Sequence, residues 1–139
     1  MPDTVRLVDY FYAEASDKPG EGARVLAALR EAGVNLAVFH AFPAGRRAQL
    51  DFVPADPAAF KAAAKRAGLK VVGPKKAFVI DGEDRAGALI GYFTRLGEAK
   101  INVTAVDAVA VGTGRFGAIL WVKARDVKRA AKALGVPQA

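Results

Sequence analysis

Apolar and polar positions change period along this chain in a fixed order, and the order occurs twice. Val5 to Ala13 is rich in β-branched and aromatic residues and predicts a strand. After a polar loop from Glu14 to Gly20, the residues Gly22, Val25, Leu26, Leu29 and Ala32 fall on one helical stripe, with Asp17 as the expected N-cap and Pro19 in the first turn. Val34 to Phe42 and Arg46 to Val53 flank Pro43-Ala44-Gly45 and predict a hairpin. Asp56 and Pro57 open a second helix, with Phe60, Ala63, Ala64 and Ala67 as its inner stripe and Gly68 as its stop. Leu69 to Val72 reads as a short fourth strand and Gly73-Pro74 as a turn.

Lys76 to Ile80 begins the order again. The first helical stripe becomes Leu89, Tyr92, Phe93, Leu96 and Ala99, and the hairpin becomes Ile101 to Val111 and Arg115 to Lys123 around Gly112-Thr113-Gly114. The last helix is expected to be capped by Asp126, to bury Val127, Ala130, Ala131 and Leu134, and to stop at Gly135. Identities repeat as well, 67 residues apart: Asp17-Lys18-Pro19-Gly20 matches Asp84-Arg85-Ala86-Gly87, Asn35 matches Asn102, and Lys61 and Lys65 match Lys128 and Lys132. A repeat this long is a small domain, not a solenoid turn. The expected fold class is therefore α+β: two ferredoxin-like βαββαβ units in tandem, residues 1–73 and 74–139, each an antiparallel sheet with helices on one face. Few residues follow Gly135, and Pro137 cannot donate to a ladder, so the second unit is expected to lack or shorten its last strand.

The two hairpins differ in patterning. In the first, Ala48, Leu50 and Phe52 alternate with Arg47, Gln49 and Asp51. In the second, Ile119 and Trp121 share one face while Phe116, Ala118, Leu120 and Val122 share the other, so both faces are apolar. Such a sheet is expected to be covered on both sides. This predicts a homodimer, or burial against the other unit, with Leu120→Asp disrupting assembly.

Composition narrows the chemistry. The chain of 139 residues is 53% hydrophobic, which supports packed cores rather than disorder. It has no cysteine, one histidine (His40) and one serine (Ser16), too few for a Ser-His-Asp or Cys-His nucleophilic site. No ligand spacing suggests a metal, no motif suggests a cofactor, and His40 reads as a packed or edge residue. Gly112-Thr113-Gly114 lies between strands and reads as a hairpin turn rather than a phosphate loop. The expectation is a non-enzyme. With no leader-like segment and no apolar run long enough for a bilayer, a cytoplasmic protein with no membrane role is expected.

The repeated loops carry the candidate chemistry. A helix N-terminus offers N–H groups to a carboxylate, glycine lets a ligand reach the backbone, and an asparagine amide can hold an amino-acid backbone. Asp17-Lys18-Pro19-Gly20 with Gly33-Val34-Asn35-Leu36 resembles the ACT domain family, whose pattern is a strand, Asp-x-Pro-Gly, an amphipathic helix and Gly-Val/Ile-Asn-Ile. The second copy departs from it: Ala86 replaces the proline, and Lys100 replaces the glycine before Ile101-Asn102-Val103. The resemblance implies a regulatory protein that binds a small molecule, usually an amino acid, where ACT-like units meet. It implies ligand-binding residues Asp17, Lys18, Pro19, Gly20, Glu21, Gly22, Asn35 and Leu36 in the first copy. In the second it implies Asp84, Arg85, Ala86, Gly87, Asn102 and Val103. A separate enzyme or regulator would be the output partner. Glu14, Asp17 and Glu21 crowd the first loop with negative charge, which would oppose a ligand carboxylate.

A net charge of +7 raises nucleic acid as the alternative. Gly114-Arg115-Phe116-Gly117-Ala118-Ile119 is similar to part of an RNA-recognition motif, with Ala118 where a second stacking aromatic belongs. The basic residues Lys61, Lys65, Arg66, Lys128, Arg129 and Lys132 fall instead on outer helix faces, with Arg46 and Arg47 by the first hairpin, which ranks nucleic acid behind a metabolite. A structural subunit without a ligand is the third reading.

Overall fold

The computed structural model describes residues 2–137. Contacts divide the chain into a continuous unit, Asp9–Lys75, and a discontinuous one, Met1–Val8 with Lys76–Ala139. The strands are β1 (Thr4–Ser16), β2 (Leu36–Ala44), β3 (Arg47–Pro54), β4 (Val72–Glu83), β5 (Val103–Ala110) and β6 (Arg115–Val122). The helices are α1 (Glu21–Glu31), α2 (Pro57–Arg66), α3 (Ile90–Glu98) and α4 (Val127–Ala133), the last preceded by a 3₁₀ turn at Ala124–Asp126.

In the continuous unit the order is β2-β3-β1 with the start of β4 beyond β1. The β1–β3 and β2–β3 pairs are antiparallel, with Phe11 opposite Phe52 and Phe39 opposite Phe52. Alternation along β1 and β3 puts Phe11, Ala13, Leu50 and Phe52 on the side covered by Val25 and Leu29 of α1 and by Phe60, Ala63 and Ala64 of α2. The Phe60 ring lies 5.0 Å from Phe11 and 5.1 Å from Phe52, so three aromatics form the centre of this core. Leu26 is more than a third exposed, at the margin of the stripe rather than inside it, and so is Phe93 in the other unit.

In the discontinuous unit the order is β1-β4-β6-β5, with Thr4–Val8 supplying the β1 part. Val5 and Leu7 pack against a core of Phe78, Ile80, Tyr92, Leu96, Leu120 and their neighbours. The place of the strand expected to be missing is thus filled from the opposite end of the repeat. Val136 is buried in this core, and Pro137 lies in no strand. Gln138 and Ala139 of the expected tail lie outside the described residues. Gly73-Pro74 is not the turn expected but part of β4. A side chain at Gly73 would come within 2.8 Å of the Tyr10 carbonyl, so glycine lets β4 continue against β1 there.

Phe116, Ala118, Leu120 and Val122 all belong to the helix-side core. Ile119 and Trp121, on the opposite face of β6, are also buried in the single chain, so a dimer is not needed to explain that face. Caps differ from expectation too. Gly20, with φ +87°, is the N-cap of α1, and Asp17 lies outside the helix. Asp126 makes no cap bond and pairs with Arg129 instead. Asp56 does cap α2, accepting from the Ala59 N–H at 3.1 Å. Asp56→Ala should cost about 1 kcal/mol, read as a lower urea midpoint at unchanged slope.

No helix among the described residues is long and apolar enough to cross a membrane.

Candidate functional site

The antiparallel register separates the residues expected to form one site. In the continuous unit Arg47 pairs with Ser16 on one side and with Ala44 on the other, so the loop Asp17–Gly20 adjoins the β2–β3 turn. Leu36 pairs with Pro54, and the Asn35 carbonyl accepts from the Ala55 N–H at 2.9 Å. Asn35 and Leu36 therefore lie at the other end of the sheet, roughly 26 Å away along β2. The reason is topological: α1 carries the chain back, so β2 starts where β1 started. The same holds in the discontinuous unit. The Asp84 N–H donates to the Gly114 carbonyl at 3.0 Å, whereas Val103 pairs with Val122 at the far end beside exposed Asn102.

The first loop is tightly turned. Lys18 N–H donates to the Ser16 carbonyl at 3.0 Å, and nothing lies within 4 Å of where a side chain at Gly20 or Gly22 would be. Its negative crowding is balanced by bases. Arg24 pairs with Glu21, and Arg47 lies 3.6 Å from Glu14. The Arg24 hydrogen bond, with the charges of Arg24, Lys18 and Arg47, holds the Glu21 carboxyl below its ordinary value. Pro19 is exposed beside them.

The second loop borders a groove. Ala88 and Ile90 N–H groups donate to the Arg85 and Gly87 carbonyls at 3.2 and 2.9 Å, leading into α3. Gly87 has φ +71°, and a side chain there would meet Ile90 at 2.7 Å. Asp84, Gly87, Ala88 and Leu89 form one wall of an open groove of about 330 Å³, with Ala108, Val109, Ala110 and Phe116 opposite. Asp84 is the charged residue of that lining. Arg85 turns away to the Glu83 carbonyl at 3.1 Å and to Asp3 at 3.8 Å, and Ala86 is exposed outside the groove. Sequence reasoning missed the β5 wall. Its available signal was the small residues Ala108 and Ala110, in register with Ala118 and Phe116 of the helix-side core.

Asp3 and Tyr92 sit behind this loop. The Tyr92 hydroxyl donates to Asp3 Oδ2 at 2.6 Å, and the Glu83 N–H donates to Asp3 Oδ1 at 3.0 Å. The Tyr92 bond, the Glu83 N–H and the nearby Arg85 and Arg115 lower the Asp3 carboxyl below its ordinary value. Burial, with the Asp3 bond and charge, pushes the Tyr92 hydroxyl up to about 12. A raised tyrosine pKa contributes stability that is whole below the unfolded value near 10 and is lost as pH rises through the folded value. Urea unfolding between pH 10 and 12 should therefore show a loss of roughly 1–3 kcal/mol that Tyr92→Phe removes. A lowered carboxyl acts at the other end. The Asp3 contribution is present above the ordinary aspartate range and disappears as acid protonates it.

Elsewhere, His40 Nδ1 lies 3.0 Å from Asp51 Oδ2, and Gln49 Nε2 donates to Asp51 Oδ1 at 3.0 Å. Asp51, expected on a solvent face, is only 5% exposed, and these partners satisfy it. Phe116 belongs to the helix-side core and not to the open sheet face, where the base-stacking aromatic of the nucleic-acid alternative would stand. Lys61, Lys65, Arg66, Lys128, Arg129 and Lys132 are exposed on α2 and α4, as the pattern implied. Among the described residues no three His, Cys, Asp or Glu side chains are grouped to hold a metal ion.

No family model and no curated protein sequence matches the chain. Solved structures do. A protein from Bacteroides thetaiotaomicron superposes with a TM-score of 0.82 at 14% identity, over 94% of this chain and 88% of that one. The ligand-free regulatory subunit of aspartate kinase from Thermus thermophilus gives 0.63 at 19% identity, over 97% and 95%. The corresponding subunit from Thermus flavus gives 0.61 at 18% identity, over 97% and 95%. At these identities the likeness is one of fold, α+β with antiparallel strand pairs, as the resemblance implied.

Proposed function

We propose that this chain is a non-catalytic regulatory protein that binds a small metabolite, an amino acid, in the groove between the Asp84–Leu89 turn and β5. The observation that carries this reading is the groove's lining: one carboxylate, a glycine turn and apolar side chains. Asp84 suits an ammonium group, and the Ala108, Ala110 and Phe116 surface suits an apolar body. Regulatory subunits of aspartate kinase have the same fold, which supports a regulatory role and a separate enzyme as the output partner. The Asp17–Gly22 loop, with its charges internally paired, is a second candidate site within its own unit, and Asn35 and Asn102 each lie at the opposite end of their unit's sheet from these loops. Ile90, Val109 and Val111 are exposed near the groove, at 67%, 64% and 74%, and suit a homodimer formed along the β5 edge.

The test is a thermal-shift screen of the twenty amino acids, with short RNA and DNA, at two salt concentrations. Stabilisation by one or a few amino acids, indifferent to salt, supports the reading. A salt-sensitive shift with nucleic acid alone replaces it with the alternative. No shift with either replaces it with a structural subunit.

A further inference from the structure

We infer that Asp3 is a positioning residue for the Asp84–Gly87 turn, through contacts of its one carboxylate with the Glu83 N–H, the Tyr92 hydroxyl and the Arg85 guanidinium. The Glu83 N–H is the last backbone donor before the turn, at 3.0 Å. Arg85 lies inside the turn, 3.8 Å from the carboxylate, and its other nitrogen donates to the Glu83 carbonyl at 3.1 Å. Tyr92 lies in the first turn of α3, the helix that the loop enters, and its hydroxyl is 2.6 Å away. One carboxylate thus ties both ends of the turn and its middle to the strand that begins at Thr4.

Two features of the chain show that this contact is provided for. Gly82 leaves the space: a side chain there would come within 2.9 Å of the Asp3 carboxylate and 2.5 Å of the Phe116 ring. Tyr92 supplies a hydroxyl where the other copy of the repeat, 67 residues earlier, has Val25, an ordinary core residue. A hydroxyl buried at that position needs a partner, and Asp3 is the partner. The adjacent residue is held as well: Arg115 Nη2 donates to the Pro2 carbonyl at 3.4 Å and to Asp81 at 3.1 Å. Phe116, the next residue along, lines the groove. Docking of the amino-terminal strand and the shape of the groove are therefore set by the same contacts.

The positioning role stands on this geometry alone; its effect on ligand affinity rests on the groove being the ligand site. The experiment is amide hydrogen exchange on the ligand-free full chain, for wild type, Asp3→Ala, Asp3→Asn and Tyr92→Phe. Loss of hydrogen bonds to a charged group should speed exchange of the 84–90 amides about 10- to 100-fold in Asp3→Ala. Asp3→Asn keeps an oxygen acceptor and should restore most of that protection, and Tyr92→Phe should fall between them. Exchange in the 9–75 segment should not change. Unchanged exchange at 84–90 in Asp3→Ala would overturn the assignment. So would uniform acceleration across residues 76–136 without rescue by asparagine, which would make Asp3 only a contributor to global stability. A parallel thermal-shift screen of the twenty amino acids separates the two readings. Altered exchange with no ligand response in any variant keeps the positioning role and removes the proposed ligand.

Discussion

Leu120→Asp is expected to unfold the discontinuous unit rather than to separate two folded copies of the chain. Leu120 is fully buried on β6, opposite Phe78 of β4, and packs in the core formed with α3 and α4. The substitution removes a buried aliphatic side chain, which alone costs roughly 2–5 kcal/mol. It also places a carboxyl in an apolar core, which adds a further penalty of several kcal/mol unless the group protonates. A small domain has about 5–15 kcal/mol in total. Hydrogen exchange should show protection lost at residues 76–136, and the far-ultraviolet dichroism should fall. A variant that stayed folded and merely became monomeric would contradict this placement. Val111→Asp is the contrasting change. Val111 is largely exposed just past the end of β5 and outside the groove lining, so that variant should remain folded and should weaken only the proposed self-association.

Ala108→Trp is expected to abolish binding of the proposed amino-acid ligand while leaving the fold intact. Ala108 is exposed on β5 and lines the groove facing the Asp84–Leu89 turn. An indole there projects into the open groove of about 330 Å³ and competes with a ligand for that space. Asp84→Asn keeps the size of the side chain and removes its charge, so it should weaken an ammonium-bearing ligand by about 10- to 100-fold, the worth of a charge-assisted hydrogen bond. Isothermal titration with the ligand found in the screen measures both. Wild-type affinity in Ala108→Trp would move the ligand out of this groove. Wild-type affinity in Asp84→Asn alone would keep the groove and reassign the ammonium.

Much of this architecture follows from local sequence. The helices, the hairpins and the Asp56-Pro57 start of α2 are short-range features and appear close to their patterns, although Pro43 and Ala44 belong to β2 and the first turn is Gly45-Arg46. What was not legible is what depends on partners far along the chain. Val5 and Leu7 announce a strand but not the sheet they complete. Gly73-Pro74 has the residues of a turn, and only the closeness of Tyr10 and Phe11 shows why the strand runs on through Gly73. Asp17 has the chemistry of a cap, yet Gly20 can take the left-handed conformation and so becomes the boundary of α1. For the candidate site, the motif loops were legible but their partners were not. Asn35 and Asn102 repeat faithfully, and the antiparallel return of the chain puts them at the opposite end of the sheet from the loops. Ala108 and Ala110 look like filler until the β5–β6 register sets them opposite Ala118 and Phe116. The negative crowding at Glu14 and Glu21 is resolved by Arg47 and Arg24, whose side-chain directions no spacing rule supplies.

The division of β1 between two units also sets an order of assembly during synthesis. Residues 9–75 contain every strand and helix of their own unit, so that unit can close once Lys75 has left the ribosome. Thr4–Val8 emerge long before their sheet neighbours in β4 and must wait for the rest of the chain. If folded separately, the discontinuous unit would have to close a loop of some 67 residues, an entropic cost of several kcal/mol on the (3/2)RT ln n scaling. Within the continuous unit β1 and β4 lie side by side at Tyr10 and Gly73, a pairing that needs no residue outside 9–75. A lesion in the Phe11, Phe52 and Phe60 cluster would accordingly slow the closure of residues 9–75 first, while they are still the only part of the chain free to fold.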